Sequence, residues 1–407
     1  MPPAAGARAT EPPPVGEMAS RAGDAGWRVR DVSPPVAVPR RARTGPRIRR
    51  VRAAAFTVPT ESPESDGTLE WTATTLVLAE VEAGGRTGIG YSYTDAAAAS
   101  LITRTLAPVI DRRDAFDTGA AWHAMLAATR NLGTRGIVAC AIAAVDVAFW
   151  DLKAKLHDAP LVRLLPAYHR SAPVYGSGGF TSYTDAELAK QLAGWVERGI
   201  PRVKMKVGRE AGRDVERVAL ARRAIGADAE LYVDANGAYS AKQALAFAER
   251  FAEDGVRWFE EPVSSFDLPG LRLMRERAPA GVEIAAGEYA HDAQDFRLLL
   301  EPRAVDVLQA DATRCAGITG FLRAAALADA FETDVSAHTA PALHLHACLA
   351  VRRLRHIEYF HDHVRIERML FDGVTEPVRG ALAPDLTRPG HGLELRRADA
   401  ERYRVTG

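Results

Sequence analysis

A closed α/β barrel behind an N-terminal α+β domain is the fold class this sequence predicts, and three observations carry that reading. Strand-like apolar runs begin near Val174, Val203, Leu231, Trp258, Ile284, Val305, Val335 and Ile357. The intervals between them, roughly 20 to 30 residues each, hold amphipathic helical segments such as Ala241 to Ala252, which is the arithmetic of a parallel barrel. Polar residues stand at the ends of the runs, where such barrels place their chemistry. A doubly wound open sheet also alternates strands and helices, but the even spacing and the polar strand ends favour closure.

Taken in order, residues 1–46 are rich in Pro, Ala and Arg without apolar periodicity, and a disordered tail is expected there. Glu11, Glu17 and Asp24 break the acid-poor pattern of a transit peptide, and no apolar stretch of a secretory signal follows. Residues 47–168 read as an α+β domain. Thr72 to Val81 and Arg86 to Tyr93 flank Gly84-Gly85, a hairpin signal, and the preceding PTESPESDGTLEW reads as a polar loop. In the last helix of this domain Ile142, Val145, Phe149, Leu152 and Leu156 make one buried stripe, and Pro160 then redirects the chain. The barrel is expected over 169–368. The Pro/Gly-rich segment 369–407 should pack back on the first domain.

The formal charge of zero gives no electrostatic case for nucleic acid or an anionic membrane. No apolar run approaches the roughly 20 residues that span a bilayer. Cys140, Cys315 and Cys348 are scattered without metal-type spacing, which fits a reduced cytoplasm. Lysines are few (Lys153, Lys155, Lys190, Lys204, Lys206 and Lys242), so nearly all basic side chains are arginine and a lysine is a pointed choice.

Three carboxylates arrive on consecutive strands: Asp234 in LYVDANG, Glu260 in WFEEP and Glu288 in IAAGE. At the carboxyl ends of neighbouring strands they converge, and their repulsion calls for a hard divalent cation, Mg²⁺ first with Mn²⁺ as a substitute. One such acid would as readily be a helix N-cap. Three in the same strand phase are not explained that way.

Alternation on Val203-Lys204-Met205-Lys206-Val207 points both lysines into the barrel. Two ammonium groups side by side depress each other's charge, and burial adds to that, so one is expected to serve as a base near neutral pH. The sixth strand ends at Asp311 and the seventh at His338, a feasible carboxylate–imidazole pair across from Lys206. The eighth ends at Glu358, which beside a substrate carboxylate would be held protonated as a hydrogen-bond donor. His361 and His363 lie just beyond and could line the same mouth or be ordinary loop residues. His344 and His346 fall in a helical segment and receive no role.

The ordered set AVDVAFWDLKAK, YGSGGF, VKMKVG, VDANG, EEP, GE, LQADATRCAGITG, SAH and IEYF resembles the enolase superfamily, and within it the mandelate racemase subgroup, from about Ile48 to Gly407. The resemblance implies a (β/α)7β modified TIM barrel under an N-terminal α+β capping domain completed by the C-terminal segment. It makes Asp234, Glu260 and Glu288 the Mg²⁺ ligands, with Asn236 and Glu261 in the surrounding polar shell. Lys206 would be the base on one face of the substrate, with Lys204 beside it contacting the carboxylate. His338 paired with Asp311 would be the acid/base on the other face, and Glu358 the donor to the enediolate. Asn236, Lys204, Glu358 and His361 are the expected substrate contacts.

The implied chemistry is abstraction of the proton alpha to a carboxylate through an enediolate. Dehydration of a sugar acid to a 2-keto-3-deoxy acid leads, because many members of the subgroup act on sugar acids and the capping loop 60–68 is polar. A racemase or epimerase of a 2-hydroxy acid uses the same two opposed groups. Cycloisomerases of the superfamily usually carry a lysine on the sixth strand, so Asp311 counts against them. A non-catalytic sensor or scaffold barrel is the remaining alternative. A homo-oligomer is expected from barrels of this kind.

Overall fold

The computed structural model describes residues 45–405; the expected tail lies outside them except for its last two residues. The chain opens with an antiparallel sheet, β1 (Arg50–Ser65), β2 (Glu70–Ala83) and β3 (Arg86–Tyr93), joined in that order. Four α-helices follow: α1 (Ala97–Leu101), α2 (Ala107–Ile110), α3 (Thr118–Ala128) and α4 (Ile137–Leu156). Helix α4 packs on β2 and β3 so closely that Gly88 and Gly90 have no room for a Cβ against the backbone of Ala144 and Ala148. Val138, Cys140, Asp146 and Asp151 are buried along with Ile142, Val145, Phe149 and Leu152 of the expected stripe, Leu156 being half-buried, because α4 is covered on nearly all sides and not on one.

The eight expected barrel strands are present: β4 (Ala172–Gly178), β5 (Arg202–Lys206), β6 (Glu230–Asp234), β7 (Val256–Glu260), β8 (Glu283–Ala286), β9 (Val307–Ala310), β10 (Asp334–Ala337) and β11 (Leu354–Phe360). All pair in parallel with their sequence neighbours, and β11 pairs with β4 to close the ring. The open-sheet alternative is thereby excluded. Between the strands run α5 (Asp185–Glu197), α6 (Asp214–Ile225), α7 (Ala241–Glu253), α8 (Leu268–Arg277), α9 (Ala293–Leu300), α10 (Gly317–Ala330) and α11 (Pro341–Cys348). Their starts are written locally: Thr184 and Glu187 form a reciprocal capping box at α5, and Asp292 caps α9. After β11, α12 (His361–Leu370) leads into short strands β12 (Phe371–Asp372), β13 (Ala381–Leu382) and β14 (Glu394–Leu395), then α13 (Arg397–Glu401). This last segment returns to the first sheet, where Thr57 N–H donates to the Tyr403 carbonyl.

The expected polar loop is instead the distal part of a long β1–β2 arm, with a register shift between Pro59 and Glu64 and a turn at 66–69. Asp66 Oδ1 accepts from Thr68 and Leu69 N–H at 2.6 and 2.7 Å, which makes the turn. The arm ends over the barrel mouth. Ser65 Oγ meets Thr181 Oγ1 at 2.6 Å, and a Cβ on Gly67 would fall 2.7 Å from the Val207 carbonyl oxygen and closer still to that of Ala235. Among the described residues no helix is long and apolar enough to cross a membrane, and the three cysteines are buried and free.

Candidate active site

The barrel interior is plugged below the mouth by aromatic rings. Tyr232 stacks on Trp258 at 5.4 Å, and Tyr175 packs edge-on to Tyr232 at 5.6 Å. This apolar floor removes water from beneath the charged groups above it and strengthens every interaction among them. In-phase register carries the acids to one level: Lys206 pairs with Asp234 and Asp234 with Glu260 across adjacent strands.

The structure brings the predicted residues together. One carboxylate oxygen from each of Asp234, Glu260 and Glu288 lies within 4.8 Å of the other two, all three residues being buried. Lys204 Nζ is 2.7 Å from both oxygens of Glu260, 2.8 Å from Glu358 Oε1 and 3.3 Å from Asp234 Oδ2. Lys206 Nζ donates to Asp234 Oδ2 at 2.5 Å and to Asn236 Oδ1 at 3.0 Å. On the far side His338 Nδ1 is 2.8 Å from Asp311 Oδ2, and its Nε2 is 3.2 Å from Glu288 Oε2 and 3.9 Å from Glu358 Oε2. Ser177 Oγ donates to Glu358 Oε1 at 2.6 Å.

One electrostatic expectation is corrected. Burial works to lower both lysines, but Glu260 and Glu358 around Lys204, and Asp234 beside Lys206, override it and hold both ammonium groups above the ordinary lysine value. Their mutual repulsion is the smaller effect because each bonds a carboxylate directly, at 2.5 Å for Lys206 and 2.7 Å for Lys204. At Glu358 burial pushes the carboxyl up, but Lys204 and then His338 bring it down to about 2. His338 is raised to about 9 because Glu288 and Asp311 outweigh its burial.

The acids outnumber their partners. Burial and then Asp234 push Glu260 up to about 8 despite Lys204, and Glu261 is likewise raised by burial and Glu288. Glu261 Oε1 and Glu288 Oε2 are buried without a hydrogen-bond donor, the His338 ring approaching the latter without hydrogen-bond geometry. Buried carboxylates that exceed their cationic partners in number and converge at one point are the donor set of a hard divalent ion.

His361 lies at the arm, 3.1 Å from Glu61, with an edge contact to Phe180 at 6.5 Å. His363 is buried, stacked on Tyr93 at 3.5 Å. His344 supports the Asp311 turn, accepting from Ala312 N–H at 2.7 Å, and His346 accepts from Val162 N–H at 3.1 Å. Sequence reasoning missed Ser177, Trp258 and Arg314. Trp258 Nε1 donates to Glu260 Oε2 at 3.0 Å, and Arg314 bonds Glu288. The one signal for Arg314 was its place three residues after Asp311 in LQADATR.

Two family models match, "Mandelate racemase / muconate lactonizing enzyme, N-terminal domain" over residues 52–166 and "Enolase C-terminal domain-like" over 187–400. The chain belongs to the enolase superfamily. A 3,6-anhydro-alpha-L-galactonate cycloisomerase of Streptomyces coelicolor is 31% identical over 86% of this chain and 97% of its own length. Among solved enolase-superfamily structures, a mandelate racemase/muconate lactonizing enzyme-like protein from Rubrobacter xylanophilus is 53% identical, covers 88% of this chain and 100% of its own, and superposes with a TM-score of 0.87. The L-talarate/galactarate dehydratase of Salmonella typhimurium LT2, solved with Mg and L-lyxarohydroxamate, is 28% identical over 90% of this chain and 95% of its own, with a TM-score of 0.82. Sugar-acid dehydratases and cycloisomerases thus both stand among the relatives of this mandelate racemase-type chain.

Proposed function

We propose that this protein is a Mg²⁺-dependent dehydratase that removes the proton alpha to the carboxylate of a sugar acid and expels the neighbouring hydroxyl, giving a 2-keto-3-deoxy acid. The observation that carries the reading is the pair of opposed proton-transfer groups, Lys206 on one wall and the His338–Asp311 dyad on the other, around one buried acid cluster. Asp234, Glu260 and Glu288 would hold the ion, which when bound supplies positive charge for the dianionic enediolate of the substrate.

Lys204, now salt-bridged to Glu260 and Glu358, is placed to take the substrate carboxylate, and Asn236 holds Lys206 in position. Lys206, held by Asp234 and Asn236, would be the base on its face. Asp311 fixes the His338 tautomer with the proton on Nδ1, leaving Nε2 as the working atom. A protonated His338 delivers its Nε2 proton to the departing hydroxyl, which leaves as water. The polar arm, with Glu61 against His361, covers the mouth and suits a hydroxylated substrate.

Cycloisomerisation stands as a second reading. Asp311 on the sixth strand counted against it, yet a relative bearing that name at 31% identity removes the force of that argument. A lactone or anhydro-sugar acid would lose its alpha proton to the same groups. Proton NMR in D₂O with Mg²⁺ and a panel of mono- and diacid sugars, their lactones and anhydro forms tests both. A 2-keto-3-deoxy product from an open-chain acid supports the dehydratase. Deuterium entering the alpha position without loss of water would replace it by a racemase or epimerase, and turnover of only the cyclic forms by a cycloisomerase.

A further inference from the structure

Arg314 joins two groups to which the reaction assigns separate jobs. Its Nη1 donates to Glu288 Oε1 at 3.1 Å and to the Glu288 carbonyl at 3.2 Å, and its Nε is 3.7 Å from Asp311 Oδ2. The guanidinium lies 5.1 Å from the centre of the Tyr289 ring, so it is held from three sides. Its own backbone is equally restrained. Arg314 and Cys315 N–H both donate to the Asp311 carbonyl, and Thr313 N–H donates to Asp311 Oδ1 at 2.7 Å. The turn then passes through a left-handed Ala316, whose carbonyl accepts from Trp122 Nε1 of α3 at 2.8 Å. Asp146 of α4 finishes it, accepting from Thr319 N–H at 2.9 Å and Thr319 Oγ1 at 2.7 Å at the start of α10.

We infer that Arg314 is a positioning residue that holds the Glu288 carboxylate by Oε1 so that Oε2 faces the acid cluster, and thereby couples the metal site to the His338–Asp311 dyad. A planar fork with several fixed donors suits this task, whereas a lysine would reach one acceptor as a point charge. The charge of Arg314 alone acts the other way. A cation beside the site repels a second cation, so if only its charge mattered, its loss would tighten metal binding. The inference therefore predicts a sign opposite to simple Coulomb repulsion. It also explains why the capping helices α3 and α4 are tied to this turn: they anchor a residue that orients a metal ligand. The inference rests on assigning the metal to Asp234, Glu260 and Glu288.

The test is Mg²⁺ titration calorimetry on substrate-free protein for the parent, R314M, R314K and E288Q, with thermal melts to confirm folding. R314M should bind Mg²⁺ about 10- to 100-fold more weakly, the usual cost of losing a group that orients a ligand, with R314K in between. Unchanged or tighter binding in folded R314M, with binding lost in E288Q, would overturn the role of Arg314 and leave the metal site standing. Unchanged binding in E288Q would overturn the metal assignment and the inference with it. Should R314M fail to fold, R314K decides: parental affinity in it overturns the proposal, and weakening supports it.

Discussion

Lys204 Nζ is equidistant, at 2.7 Å, from both carboxylate oxygens of Glu260, and both side chains are fully buried. In the absence of metal this ammonium is the main counter-charge of the acid cluster. Removing one partner of a buried pair leaves the other without compensation, at a cost of about 3–5 kcal/mol. Lys204→Met should therefore destabilise the protein strongly in EDTA, and added Mg²⁺ should restore part of the loss. Equal denaturation midpoints for variant and parent in EDTA would count against this.

Lys206 and His338 approach the cluster from opposite sides, so their removal should be separable. Each of Lys206→Ala and His338→Asn is expected to lower turnover by about 10²- to 10⁴-fold, the range for a lost general acid or base. In D₂O, the variant that retains one group should still exchange the alpha proton of the substrate epimer presented to that group. Parental turnover in both variants would refute the site.

Asp311 acts through the imidazole it bonds at 2.8 Å. Asp311→Asn weakens a hydrogen bond that, after the charge of Glu288, helps to raise His338, and lets the ring adopt the wrong tautomer, so kcat should fall by about 10²-fold or more while KM changes little. Steady-state kinetics on the folded variant would show this. A change confined to KM would mean that Asp311 serves substrate binding.

Two buried carboxyls away from the site make stability depend on pH. Burial raises Asp146 to about 7, although Thr319 bonds oppose it, and raises Glu367 to about 8 against its bond from Tyr91. The folded state keeps these protons where the unfolded chain has shed them. The contribution of these two groups is accordingly greatest below the ordinary carboxyl range and falls as pH rises towards 7 and 8, by up to about 1.4 kcal/mol per pH unit per group. Denaturation series from pH 5 to 8 should show a shallower decline in Asp146→Asn and in Glu367→Gln. An unchanged slope in both would show that neither carries a raised pKa.

Gly67 lets the tip of the arm rest on the carbonyls of Val207 and Ala235. Gly67→Ala should lift the arm from the mouth, weakening catalysis by about 10-fold or more through misplacement of the cover while the melting temperature stays close to parental. Unaltered kinetics would separate the arm from the reaction.

The strands, their order and the acids at their ends were legible in the sequence because a buried parallel strand needs an apolar run and its polar end stands out against it. Asp234, Glu260, Glu288, Asp311, His338 and Glu358 were all found that way. Charge states were not legible. Two lysines two residues apart suggested mutual depression, but only the folded barrel shows each ammonium against a carboxylate, at 2.5 Å for Lys206 and Asp234 and 2.7 Å for Lys204 and Glu260, and those contacts reverse the sign. The arm was unreadable for a related reason: Pro59 and the acids around it argue for a loop, and it is pairing with β2 and seating on Thr181, Val207 and Ala235 that make it a strand over the site. Arg314 carries no signal beyond its place three residues after Asp311, since its meaning lies in Glu288, beyond the end of a different strand. Local pattern decides which residues reach the mouth of the barrel. What each does there is set by neighbours remote in sequence, because electrostatic and hydrogen-bond energies depend on distances that only closure of the barrel creates.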